Sequence, residues 1–350
     1  MILRDHIVVF AVKEKEILSS LLDAEGVDYI RIIKKKHPRK RKKISIIKSN
    51  IAELVESNIG LHKYIKSNKP DFMLGTDVSI AHLSALTRIP SFVFNEDDLD
   101  INKLFCYSTY PFTKFIVSPA ICNVGKYEYK RIKYFGYQKL AYLHPNRFTP
   151  NNNLLNNRFK EGKRNFIVRM VSFTAGHDIE QKHSGISETL LDILIDKLKN
   201  RGQIHISSEK EIPEKYSQYK LDINITDIHN YIAASDIFIS DSQSMTVEAC
   251  MLGTPSLRFN SFAGKISVLN ELETKYQLTH GYHINDETNF LNKFEELINT
   301  PNLRSIYQER RNKMLNDKID LTAFLVWLFE SYPDSIKKLK INPEIQNQFK

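Results

Sequence analysis

The stretch Ile237-Phe-Ile-Ser-Asp-Ser-Gln-Ser-Met-Thr-Val-Glu-Ala-Cys-Met-Leu-Gly-Thr-Pro-Ser-Leu-Arg258 sets the reading of the chain. A short apolar run ends in Ser240-Asp241, and hydroxyls crowd the turn that follows at Ser242, Ser244 and Thr246. A helical stretch then carries Glu248 in its first turns, until Gly253-Thr254-Pro255 stops it ahead of a second apolar run. Strand, helix and strand in that order make a βαβ unit and call for a parallel sheet. The turn also has the chemistry of an anion site. A helix N-terminus presents unpaired N–H groups and partial positive charge, which favours a phosphate beside Asp241, Ser242, Ser244, Met245 and Thr246. Glu248, one turn in, can accept two hydroxyls of a ribose. A plainer reading stands beside this one: Ser242 or Ser244 caps the helix and does nothing more.

The same alternation extends in both directions. Toward the N-terminus of this half, Asn165–Val171 and Gln203–Ser207 read as strands, with helices over Ser187–Leu198 and Ile228–Ala234. Pro255–Phe259 is the next strand, and the chain from Glu287 onward is mostly helical. Further upstream, His6–Val12, Asp28–Ile33, Phe72–Gly75, Ser91–Asn95, Phe115–Ser118 and Arg131–Phe135 read as strands. Lys13–Asp23, Ile44–Ser67 and Val78–Thr87 read as helices between them. Asn146–Asn157, rich in asparagine and with Pro145 before it and Pro150 within it, has the composition of a linker. Two α/β halves follow: a domain over 1–147, a second over 155–315, and closing helices over 316–350 that are expected to cross back to the first.

Composition removes whole classes. The chain has 350 residues, 42% hydrophobic and 26% charged, so it can bury a core in each half and is not a disordered chain. Its three cysteines, Cys106, Cys122 and Cys250, stand far apart with no CxxC pair, which excludes a disulfide framework and fits a reducing cytoplasm. No apolar run reaches the roughly 18 residues of a membrane span. The run Lys34–Lys43 holds eight Lys/Arg and no acid, and so accounts for eight of the net +9 charges. It has no interleaved aromatic, which argues against nucleic acid. A solvated loop and contact with an anionic membrane surface remain, the latter placing the protein at the inner face of the membrane. Only 12 glycines occur, and there is no GxGxxG after a strand, no GxxxxGK[ST] and no HExxH.

The Asp-Ser-x-Ser-Met-Thr-x-Glu-Ala-x-x-Leu-Gly-Thr-Pro pattern resembles the nucleotide-sugar half of GT-B glycosyltransferases and of UDP-N-acetylglucosamine 2-epimerase. Phe135–Phe148, Val168–Asp178 and Asp317–Trp327 resemble the archaeal and bacterial family known as domain of unknown function 354, with similarity along nearly the whole chain. The resemblance implies a GT-B-like fold: two Rossmann-like parallel-sheet domains facing across a cleft, with no metal and no other cofactor required. Members of the family open with a strand, an Asp-x-x-His-Pro-Ala-His loop and a helix. Met1–His6 looks like the end of that helix. The first domain is therefore expected to lack its first strand and helix, and to be poorly ordered or repacked.

Ligands of doubly wound sheets sit outside the carboxyl ends of the strands. That places Arg169, Ser172, Thr174, His177 and Asp178 after one strand, and Ser208 and Glu209 after another, among the candidate nucleotide-sugar contacts. Arg169 would neutralise a diphosphate; a purely structural loop is the alternative, and a metal at His177, Asp178 and His183 fits no standard ligand spacing. By analogy with GT-B folds, Asp227 and His229 lie near the base, or else Asp227 caps a helix on which His229 packs. Catalysis has only weak candidates, Glu96, Asp97 and His177; the polar stretch Asn95–Asp98 reads equally well as a solvated loop. Tyr137, Lys139 and His144 touch a ligand or lock the linker. Together these readings point to a UDP-sugar donor and a glycan or lipid-linked acceptor, with sugar transfer in surface-glycan synthesis as the reaction. A UDP-N-acetylglucosamine 2-epimerase and a non-catalytic nucleotide-sugar binder are the alternatives.

Overall fold

A computed structural model describes residues 4–13, 16–33, 43–155, 159, 162–171, 185–208 and 211–350. The chain divides into two compact units, one of Met1–Ser118 with Cys122–Tyr134, the other of Pro119–Ile121 with Phe135–Lys350.

In the first unit the short apolar runs become strands and the periodic stretches helices: β1 (Phe10–Val12), α1 (Glu16–Ala24), β2 (Tyr29–Arg31), α2 (Lys43–Asn68), β3 (Met73–Gly75), α3 (Val78–Thr87), β4 (Ser91–Phe94), α4 (Lys103–Thr109), β5 (Phe115–Pro119) and β6 (Arg131–Tyr134). Asp77 starts α3 by accepting the Ser79 N–H at 2.8 Å. Leu61 and Ile65 of α2 pack with Met73, Ile80, Ala81, Leu83 and Val93 into one core. The sheet does not close, however. β3-β4-β5-β6 form four strands, and β1-β2 form a separate parallel pair. The apolar run that predicts a strand over His6–Val12 enters a ladder only from Phe10, and Ile7 is 97% exposed.

The second unit holds α5 (Leu140–Leu143), β7 (Asn165–Met170), α6 (Glu188–Leu198), β8 (Gln203–Ser208), α7 (Ile228–Ala234), β9 (Ile237–Ser240), α8 (Gln243–Leu252), β10 (Ser256–Phe259), α9 (Ser267–Thr274), β11 (Thr279–Tyr282), α10 (Glu287–Asn299), α11 (Leu303–Asp317), α12 (Leu321–Glu330) and α13 (Asp334–Ile341). Its strands pair in parallel in the order β11-β10-β9-β7-β8. Phe166, Ile167, Val168, Phe238, Ile239 and Leu257 are fully buried, because helices cover both faces of such a sheet. From β7 the chain steps to β8 on one side and then to β9 on the other. The strand order thus reverses between β7 and β9, the kind of point at which doubly wound sheets take ligands outside the carboxyl ends of their strands.

The closing helices belong to the second unit and pack on Phe135–Phe148. The Phe135 N–H donates to Gln346 Oε1, and the Ile319 N–H to the Phe135 carbonyl. Arg147 grips Asp320 with two nitrogens, at 3.0 Å from Nε and 2.7 Å from Nη2. Among the described residues no helix is long and apolar enough to cross a membrane.

Candidate functional site

The reversal point brings Arg169–Val171 beside Ser240–Ser242. Asp241 joins them: its N–H donates to the Arg169 carbonyl (3.3 Å), and its Oδ1 accepts the Val171 N–H at 2.8 Å. The same carboxylate accepts the Ile186 N–H. Gly185 lies against it so closely that a Cβ there would stand 2.3 Å from Oδ2. Burial pushes the Asp241 carboxyl up to about 6, against those amides and the positive charge of Arg169. Arg169 Nη1 donates to Ser207 Oγ of the neighbouring strand at 2.9 Å.

Helix α8 begins at this point. Ser242, in extended conformation, caps it by accepting the Met245 N–H at 3.4 Å, while its own N–H donates to Ser240 Oγ at 2.8 Å. Thr246 is buried and spends its hydroxyl on the Ser242 carbonyl. Ser244 is exposed and Met245 half-buried, so of the hydroxyls in this turn Ser244 is the one turned outward. At the other end Gly253 takes φ +68°, the left-handed conformation that a helix stop requires and that suits glycine. The capping reading of Ser242 and the anion-site reading of the turn are therefore compatible: the cap occupies one amide and orients the rest.

Glu248 follows one turn later, half-buried between two partners. Tyr142 Oη donates to its Oε1 at 2.8 Å, and His229 Nε2 stands 3.3 Å from its Oε2. Burial opposes the charge, but the hydrogen bonds from His229 and Tyr142 and the charge of Lys139 outweigh it and hold the carboxyl below its usual range. The rings of Tyr142 and Phe148 flank His229 at 5.6 and 6.0 Å between centroids. A carboxylate held by a tyrosine hydroxyl and a histidine, one turn into a helix that starts at a strand-order reversal, can accept hydroxyls from a ligand whose anionic end lies on the helix N-terminus.

The sequence candidates distribute as follows. Arg169 lies on β7, His229 on α7, Asp241 and Ser242 in the β9–α8 turn, and Ser244, Met245, Thr246 and Glu248 in the first turns of α8. Asp227 precedes α7 without capping it through its side chain, and Ser208 is half-buried at the end of β8. Ser172, Thr174, His177, Asp178 and Glu209, with His183 and Lys34–Lys42, lie outside the described residues. Glu96 and Asp97 lie in the first unit. Their stretch is not the solvated loop that four polar residues suggest: Asn95 and Asp98 are buried. Asn95 Nδ2 bonds the Tyr110 hydroxyl at 2.8 Å, and Asp98 accepts the Asn123 N–H at 2.7 Å. Tyr137 and His144 are buried inside the second unit. Tyr137 donates to Glu271 at 2.5 Å, and Lys318 reaches that same oxygen at 2.8 Å while lying over the Tyr137 ring. Two participants escaped the sequence reading. Tyr142 sits 106 residues from its partner Glu248. Asn260 fastens the Asp241 carbonyl at 3.0 Å and accepts from Arg258 and the Phe262 amide. Tyr142 had one signal, its place in the quoted string Phe135–Phe148. Among the described residues no group of three His, Cys, Asp or Glu is placed to hold a metal.

A family profile described as "Protein of unknown function (DUF354)" matches residues 14–332. No curated protein matches the chain in sequence. Among solved structures it resembles Staphylococcus aureus MnaA with UDP, at 14% identity and TM-score 0.62, over 95% of this chain and 90% of that one. It also resembles UDP-GlcNAc 2-epimerase from Neisseria meningitidis bound to UDP-GlcNAc, at 13% identity and TM-score 0.61, over 95% and 91%. The glycotransferase of kitacinnamycin gives 11% identity and TM-score 0.59, over 93% and 92%. These likenesses establish the GT-B fold shared by glycosyltransferases and epimerases.

Proposed function

The chain belongs to this family of unknown function, and from that premise we propose that it binds a nucleotide-sugar, UDP-linked, and transfers the sugar to a glycan or lipid-linked acceptor. The observation that carries the reading is Glu248: a carboxylate kept ionised by His229 and Tyr142, one turn into a helix whose N-terminus abuts the strand-order reversal. A ribose would place its two hydroxyls on Glu248, and the diphosphate would lie toward the N–H groups of α8. In transfer, an acceptor oxygen displaces the nucleoside diphosphate from the anomeric carbon. The amides at the start of α8, Ser244 and the Arg169 guanidinium would stabilise the charge that develops on the leaving diphosphate. Glu96, Asp97 and His177 are the candidates for taking the acceptor proton, and Lys34–Lys43 is assigned to contact with anionic lipid.

The likeness to UDP-GlcNAc 2-epimerases supports a second reading, in which the same donor site serves epimerisation at C2 of the sugar. UDP is expected to raise the melting temperature of the wild-type protein, because a ligand bound by the folded state stabilises it. Glu248→Ala should abolish most of that shift. No shift with UDP or any UDP-sugar removes the binding function; a shift undiminished in the variant removes Glu248 from it. Proton exchange at C2 of UDP-GlcNAc in deuterium oxide, followed by NMR, selects the epimerase over the transferase.

A further inference from the structure

The peptide unit between Asp241 and Ser242 is held at both ends by side chains. Its N–H, that of Ser242, donates to Ser240 Oγ at 2.8 Å, and its carbonyl, that of Asp241, accepts Asn260 Nδ2 at 3.0 Å. The plane of this peptide sets the direction in which α8 leaves β9. Ser242 caps the Met245 N–H, which leaves Gln243 and Ser244 as the first two helical positions. Their N–H groups have no acceptor within the helix, and they turn with the Asp241–Ser242 plane.

Asn260 is itself fixed. It is buried just past β10, and its N–H donates to the Tyr282 carbonyl at 3.1 Å. Its Oδ1 accepts two donors, the Phe262 N–H at 3.0 Å and Arg258 Nη1 at 3.2 Å. With Oδ1 committed to two N–H groups the amide cannot turn over, so Nδ2 faces the Asp241 carbonyl.

Arg258 stands near the end of β10, in register with Ser240 on one side and Gly281 on the other. It is wholly buried, and among the described residues its Nε and Nη2 have no hydrogen-bond partner. Gly281 makes room for it: a Cβ there would stand 2.5 Å from Nη2. Burial opposes the charge of Arg258 and Glu273 favours it, but Glu273 spends Oε1 on the Gly281 N–H at 2.7 Å. A buried guanidinium so poorly paired is a weak source of stability, because an apolar side chain of similar volume fills such a place at less cost. The hydrogen bond it does make is the one that orients Asn260.

We propose that Asn260, oriented by Arg258, is a positioning residue of the nucleotide-sugar site: it holds the Asp241–Ser242 peptide so that the Gln243 and Ser244 amides meet the diphosphate, a role that rests on the site proposed above. Without the Asn260 bond the Asp241 carboxylate still ties Val171 and Ile186, so sheet and helix remain and the aim of the amides is lost.

The test titrates the full chain with UDP by calorimetry and with uridine, which has no phosphate, by ligand-observed NMR. Asn260→Asp keeps both acceptances at Oδ1 and gives Arg258 a charged partner, but sets an oxygen against the Asp241 carbonyl in place of an N–H. The melting temperature without ligand should stay within about 2 °C of the wild type. UDP should bind roughly fivefold more weakly, the worth of about one hydrogen bond, while uridine changes by less than about twofold. Arg258→Met, which frees the Asn260 amide to turn over, should weaken UDP selectively by a smaller factor, and it serves where the aspartate variant fails to fold. UDP affinity equal to that of the wild type overturns the proposal. So does a loss shared equally by UDP and uridine, which would make Asn260 a structural residue only. Either result, with UDP bound by the wild type, removes the role of Asn260 and leaves the site; no binding of UDP by the wild type removes the site as well.

Discussion

Asp241 must ionise where burial resists it, and that conflict is measurable. Its carboxyl is pushed up to about 6, while the unfolded chain titrates near 3.8. The folded state therefore holds a proton at pH values where the unfolded chain has lost it. Stability from this group is fully present below the unfolded value and is lost as pH rises through the folded one. Asp241→Asn keeps an oxygen for the Val171 amide and carries no charge. In urea unfolding, the variant should gain on the wild type between about pH 4.5 and pH 7, by on the order of 1–3 kcal/mol. Parallel pH profiles would show that Asp241 is not the strained group. Glu248 presents the opposite case. Its neighbours hold its charge in place, so the two acids divide the work, Asp241 tying backbone and Glu248 engaging Tyr142 and His229.

At the scale of elements, what was legible in the sequence followed from local chemistry. The bounds of α3 match the sequence reading because Asp77 caps it, and those of α7 and β9 match as well, α7 without a side-chain cap. Helix α8 starts at Gln243 because Ser242, one of the two hydroxyls the sequence offers as a cap, is the one that accepts the Met245 N–H. The strand over His6–Val12 was overread for a different reason: an apolar run indicates a strand, but the ladder extends only as far as its partner does. Contacts between distant segments left no mark. Nothing local ties Gly185 to Asp241, or Arg147 to Asp320, 173 residues apart. That last pair also has a testable strength. Asp320 caps α12 through the Ala323 N–H, and although burial opposes its charge, Arg147 holds the carboxyl below its usual range. Asp320→Ala removes the partner of a guanidinium that is partly open to solvent and uncaps the helix, and should cost about 1–3 kcal/mol in the unfolding of the second unit. Because the folded value is depressed, this contribution is present above the unfolded value and is lost as pH falls through the folded one. A loss below about 1 kcal/mol would reduce the fork to an exposed ion pair.

For the whole molecule, the two units differ in how completely their sheets are paired. Among the described residues the second has five strands with a buried centre and the first splits into four and two, and a two-stranded pair is marginal without further packing. Apolar burial and backbone pairing both set stability, so the first unit should unfold at lower temperature than the second. Calorimetry of the full chain is expected to show two transitions. UDP should raise the upper one alone, since Glu248, Asp241 and the start of α8 all belong to the second unit. Glu248→Ala should remove that effect and leave the lower transition where it stands. A single transition that UDP shifts as a whole would mean that the units unfold as one, and the stability of the first would then come from packing that outweighs its divided sheet.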